Sequence, residues 1–184
     1  MKNTKTILGI DPGTSVMGYG VIEVAGKNIF LKTLGVLNLN KVNGHHLKLK
    51  KIFERIKGLI REYHPDEIAI EAPFYGKNVQ SMLKLGRAQG VAIAAVLTRN
   101  IPVFEYSPKK IKMSVTGSGN ASKEQVAAML QTLLNFKEMP KYLDATDALG
   151  AAVCHHFQKN TSGDKKNYSG WKAFVTENPG KVKN

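Results

Sequence analysis

The sequence predicts an α/β fold on a mixed five-stranded sheet, three antiparallel strands followed by parallel ones, flanked by helices. Two features predict it. Three β-branched apolar runs follow one another at the start of the chain, and from residue 45 helical periodicity alternates with short apolar strands. The remainder reads as helices, so the element order is β-β-β-α-β-α-β-α-α-α.

Thr6–Asp11 (TILGID) is a short apolar run that ends on a carboxylate and meets the turn Pro12-Gly13. Val16–Val24 and Ile29–Leu37 are two further strands, with Ala25-Gly26-Lys27-Asn28 as the hairpin turn between them. His45–Tyr63 changes period: Leu47, Leu49, Ile52, Phe53, Ile56, Leu59 and Ile60 share one helical face, with lysines opposite. His64-Pro65 stops that helix. Glu67–Glu71 (EIAIE) is a strand that again ends on a carboxylate. Asn78–Thr98 is a long helix and Pro102–Tyr106 a short strand. Ser107–Val115 starts a helix with Pro108 in its first turn, and Thr116–Ser122 (TGSGNAS) is a glycine-containing loop. Ser122 with Gln125 makes a capping box for a helix to Phe136, and the last helix spans about Asp144–Phe157.

The 184 residues make one domain, residues 1–157, followed by a basic tail, 158–184, in which Trp171, Phe174 and Val175 could form a short docking turn. An apolar content of 42% excludes wholesale disorder. Lys and Arg number 27 against 14 Asp and Glu, a net charge of +13. That balance points to a polyanion, nucleic acid first and an anionic membrane surface second. A single cysteine, Cys154, excludes an internal disulfide and fits a reducing compartment. The longest apolar stretch, Val91–Leu97, is too short to span a membrane, and no apolar signal region follows the first lysines. The expected location is the cytoplasm.

Against this basic background four acids stand out by position. Asp11 and Glu71 end two strands, and Asp144 and Asp147 share one face at the start of the last helix. Parallel neighbours would bring Asp11 beside Glu71, and a helix packed on that sheet would add the other two. Carboxylates converging without His or Cys ligands suit hard cations such as Mg²⁺ or Mn²⁺. Each acid also has an ordinary reading: a turn for Asp11, a helix cap for Asp144, a lysine partner for Glu71. Their combination favours the metal site.

Gly9-Ile10-Asp11-Pro12-Gly13-Thr14 with Gly18-Tyr19-Gly20-Val21-Ile22 resembles the opening of the RuvC crossover-junction endodeoxyribonucleases. Ile70-Glu71 with Phe74 and Lys77-Asn78, then Leu83-Lys84-Leu85-Gly86-Arg87-Ala88-Gln89-Gly90, are similar to that family's next segments. Gly117-Ser118-Gly119 with Ala121 and Lys123, and finally Asp144-Ala145-Thr146-Asp147-Ala148-Leu149, complete the ordered set over about residues 5–157. The resemblance implies a ribonuclease-H-like fold and a homodimer that cuts four-way (Holliday) junctions in recombination and repair. It implies two divalent metals, Mg²⁺ with Mn²⁺ as a substitute, held by Asp11, Glu71, Asp144 and Asp147. It further implies a RuvA–RuvB branch-migration complex as partner.

Lys112 and Lys123 align with basic family residues near the scissile phosphate, beside the alternative of a solvated helix face. Phe74 aligns with the family's base-stacking aromatic, and Tyr75 either joins it or packs inward. Lys77, Asn78, Lys84, Arg87, Lys109 and Lys110 are the remaining expected DNA contacts. Gly86, Gly90 and Ala94 recur every four residues on a helix apolar on several faces. That pattern fits burial within one domain or a two-fold interface, and the resemblance selects the interface. The adjacent pairs His45-His46 and His155-His156 lack zinc spacing, and the second pair reads as favouring a helix C-terminal dipole. Cys154 reads as a buried helix residue. Three rivals are weighed: a sugar-kinase-like ATPase suggested by Asp11–Ser15, a non-catalytic DNA-binding module, and a related nuclease acting on RNA or other branched DNA.

Overall fold

A computed structural model describes residues 4–73 and 78–161. Phe74, Tyr75, Lys77 and the segment holding Trp171, Phe174 and Val175 lie outside the described residues. The elements are β1 (Thr4–Asp11), β2 (Val16–Ala25), β3 (Asn28–Asn38), α1 (His45–Tyr63) and β4 (Glu67–Glu71), then α2 (Val79–Leu97), β5 (Val103–Tyr106), α3 (Pro108–Thr116), α4 (Lys123–Leu134) and α5 (Asp144–Thr161). The sheet order is β3-β2-β1-β4-β5. β1, β2 and β3 pair antiparallel, while β1–β4 and β4–β5 pair parallel, as the sequence predicts.

Local chemistry sets the element ends. The β2–β3 hairpin closes with two residues and places Gly26 at φ 63°, a region glycine enters without Cβ strain. α1 stops at His64, which adopts φ 46° and sends its N–H to the Ile60 carbonyl at 3.0 Å before Pro65. The Asn78 side chain caps α2 by accepting from the Ser81 N–H at 3.0 Å. Ser107 caps α3 with Pro108 in the first turn, and Ser122 with Gln125 forms the capping box of α4. α5 runs to Thr161, four residues past its expected end at Phe157, so the tail's first residues belong to the helix.

Strand alternation sorts side chains into two cores. On one face Leu8, Ile10, Ile68 and Ile70 pack against Ile52, Ile56 and Leu59 of α1 and Ala88, Ala92, Ala95 and Val96 of α2. On the other, Ile7, Ile22 and Ala69 meet α3, α4 and α5 through residues such as Ile111, Leu130, Leu149 and Val153. The result is a sheet sandwiched between two helical layers.

α5 is seated unusually close to the sheet. A Cβ at Gly9 would lie 1.9 Å from the Ala148 carbonyl oxygen, and one at Gly18 would lie 1.9 Å from the Asp144 carbonyl oxygen. Only glycine at these two positions lets the first turns of α5 rest on β1 and β2.

Candidate active site

Asp11 and Glu71 reach the α5 face by strand period. Gly9 meets α5, so Asp11, two residues on, points the same way. Ala69 belongs to the α5-side core, so Glu71 does too. Ile10 pairs with Ile70, which makes Asp11 and Glu71 the next residues in line on parallel neighbours. Asp11 also pairs across the ladder with Gly18, the residue on which the Asp144 backbone rests. The helix start is thereby delivered to the end of β1. Asp144 and Asp147, three apart in the first turn of α5, present their carboxylates there, where the helix dipole favours negative charge.

One carboxylate oxygen each of Asp11, Asp144 and Asp147 lies within 4.8 Å of the others. Glu71 stands outside this trio but beside Asp11, and the two line a shared cavity. Neither the Asp11 nor the Glu71 side chain accepts a hydrogen bond among the described residues. Burial, then the neighbouring charges of Glu71 and Asp147, hold the Asp11 carboxyl well above the usual carboxylate range. Burial and Asp147 push Glu71 up to about 7. Burial also raises Asp147, against the opposing pull of Lys123. Lys123 Nζ forms an ion pair with Asp147 Oδ2. Burial pushes the Lys123 ammonium down, but Asp147, Asp11 and Asp144 together leave it above its ordinary value.

Four carboxylates around one paired lysine carry excess negative charge in a partly dry site. An all-oxygen donor set with no His or Cys is the ligand chemistry of hard divalent cations, and three oxygens this close fit one.

A larger cavity of about 490 Å³ opens beside the acids, lined by Glu71, Asp147, Lys109, Lys112, Lys123 and Gly119 among others. Lys112 is half-buried there. The other expected DNA contacts divide. Lys84 and Arg87 are exposed on α2. Lys110 is exposed, with Nζ 5.1 Å from the Tyr106 ring centre. Asn78 spends its side-chain oxygen on the α2 cap. Lys48 of α1 donates to the Thr14 carbonyl at 3.0 Å and so anchors the loop that follows Asp11.

His155 is placed differently from the sequence expectation. It is buried mid-helix, with Nδ1 2.6 Å from the Tyr106 hydroxyl and Nε2 2.6 Å from Glu67 Oε2, which also pairs with Lys5. It joins α5 to β4 and β5 and does not serve a helix end, because α5 continues to Thr161. Cys154 is buried, as expected.

A family model described as Crossover junction endodeoxyribonuclease RuvC matches residues 7–155, an interval that holds all four acids. The chain belongs to the RuvC family. A RuvC from Cytophaga hutchinsonii is 67% identical over 180 residues, covering 97% of this chain and 88% of that protein. One from Bacteroides fragilis is 58% identical over 181 residues, covering 97% and 96%. The structure of T. thermophilus RuvC in complex with Holliday junction substrate superposes with a TM-score of 0.80 at 29% identity, covering 86% of this chain and 96% of that one. The yeast mitochondrial resolvase Ydc2 shares the fold, with a TM-score of 0.61 at 17% identity. The ribonuclease-H-like sheet expected from the sequence is the one observed. RuvC membership removes the kinase-like reading of Asp11–Ser15. Among the described residues, no helix is long and apolar enough to cross a membrane.

Proposed function

We propose that this RuvC protein resolves four-way DNA junctions by metal-assisted phosphodiester hydrolysis, making paired symmetric nicks in recombination and repair. The observation that carries the reading is the meeting of Asp11, Asp144 and Asp147, with Glu71 beside them, next to a lysine-lined cavity in a RuvC fold. Asp11, Asp144 and Asp147 would hold one Mg²⁺, and Glu71 beside them would help to hold a second, with Mn²⁺ as a substitute. When bound, such cations activate a water and stabilise the leaving oxygen. The chain's own groups do the rest. Lys112 and Lys123 bring positive charge to the scissile phosphate as negative charge builds there. The acids fix the cut to one place on the backbone, since elsewhere the basic surface only binds. Lys84, Arg87, Lys109 and Lys110, with Lys77 and Asn78, hold the arms by their phosphates. Phe74 and Tyr75 stack on unpaired bases at the junction centre.

The homodimer is part of this reading. α2 exposes Val79, Leu83 and Leu97 at 67%, 59% and 55%, on the side where a Cβ at Gly86 or Gly90 would meet nothing. An apolar stripe with small residues at its centre suits a second copy of the same helix. Two copies give two identical sites for paired nicks. A cytoplasmic location and a RuvA–RuvB partner follow from the same family reading.

Labelled four-way junction, Y-fork, plain duplex and RNA–DNA hybrid, each incubated with Mg²⁺, test the proposal. Paired nicking of the four-way form in preference to the others is expected. Equal cutting of all four, or preference for the hybrid, would overturn junction resolution.

A further inference from the structure

Gln89 sits on α2 at 8% exposure, one of few polar side chains buried in the fold. Its Nε2 donates to Glu105 Oε2 on β5 at 2.5 Å. A carboxylate only accepts, so this bond orients the amide, with nitrogen toward Glu105 and the carbonyl oxygen on the other branch. Gln89 also lines a cavity of about 120 Å³ with Asp11, Glu71, Pro12 and Leu85. Asp11 and Glu71, which share this cavity, receive no hydrogen bond from any described donor. Their oxygens are not among the buried unpartnered atoms, so water reaches them and is their available donor. A water takes about 30 Å³ of liquid volume, so this cavity has room.

We propose that Gln89 is a positioning residue, holding water behind Asp11 and Glu71 that donates to their carboxylates and turns their free oxygens toward the cations. The bridging water gives one hydrogen to the Gln89 carbonyl and the other to a carboxylate oxygen. Glu105 acts one step further back by keeping the amide from flipping. The inference rests on the metal-dependent reading above and deepens it, because it assigns the cation affinity of the site in part to a residue that touches no cation.

The test is calorimetric titration of Mn²⁺ and Mg²⁺ into full-length wild type, Gln89→Leu and Glu105→Gln without DNA, with thermal melting and junction-cleavage kinetics alongside. Gln89→Leu is expected to weaken cation binding by about 10-fold or more, the usual effect of losing a partner behind a ligand. The junction KM stays unchanged, and raised metal restores kcat. Glu105→Gln, an exposed change that leaves the core intact, weakens binding less, because the new amide still accepts in one of its two orientations. A Gln89→Leu protein with lower thermal stability but wild-type cation affinity would show that Gln89 only packs, and the proposal would fall. Unchanged affinity in Glu105→Gln, beside a loss in Gln89→Leu, removes the orienting role of Glu105. Wild type that binds neither cation overturns the metal-dependent reading itself, a result distinct from either of these.

Discussion

In the proposed chemistry Asp11 is the central residue, and it is poorly stabilised by its surroundings. Its carboxyl is buried beside Glu71 and Asp147 and is held well above the ordinary range. Asp11→Asn should therefore do two opposite things. Junction cleavage falls by at least about 10³-fold while binding persists, because electrostatic groups aimed at the reacting phosphate carry most of the rate. The melting temperature of the metal-free variant rises by about 2–4 °C for each kcal/mol of repulsion relieved. Gel-based cleavage, gel-shift and thermal melting in EDTA check the pair of outcomes. Glu71 supplies a pH signature in the same protein. Its folded value, about 7, lies above the ordinary 4.5, so between those values the folded protein holds more protons than the unfolded chain. Stability of the metal-free protein should accordingly increase as pH falls from 8 to 6. Glu71→Gln should flatten that rise, and saturating Mg²⁺ should abolish it. A melting temperature that drops over this interval in EDTA contradicts the assignment.

Among the elements, α5 and α2 carry the most consequence. α5 delivers two of the acids, and its height over the sheet depends on Gly9 and Gly18. Gly18→Ala is expected to cost about 1–3 kcal/mol by overpacking and to separate Asp144 from Asp11. Cleavage would then fall even though no ligand has changed, measured as kcat at saturating junction beside a urea melt. On α2, Leu83 is exposed at 59% in the single chain, so Leu83→Glu leaves the fold intact. Light scattering should then report a monomer, and junction assays should show single nicks in place of coupled ones. The element order, the capping box of α4 and the placement of acids at strand and helix ends were legible because each has a local signature: period two, Ser–Gln spacing, a carboxylate at a strand end. The extent of α5 was not, since Gln158–Thr161 is polar and reads like the tail that follows. His155 misled for a related reason. Its partners Glu67 and Tyr106 are 88 and 49 residues away, and only the parallel pairing of β4 with β5 brings them together. Gln89 gave a faint signal, a glutamine within an apolar helix, but its link to Glu105 needs that same pairing.

For the whole molecule, the charge of +13 and the acidic centre are complementary. The basic surface collects the polyanion, and a small negative patch becomes attractive to phosphate only with cations in it. Junction affinity should therefore depend steeply on monovalent salt, with a log–log slope of about −4.5 if about five phosphates are neutralised. Fluorescence anisotropy across a salt series checks this, and a flat response would argue against a phosphate-dominated interface.

The close seating of α5 also bears on how variation in this protein is interpreted. Surveys that trim every side chain to a methyl group look for what is lost when something is taken away. At Gly9 and Gly18 the same exchange adds matter where the backbone leaves no room, so the damage comes from intrusion. Variants there would mimic inactive-site mutants in a functional screen while leaving every ligand in place. Sorting the two kinds apart calls for a readout of helix placement, not of chemistry.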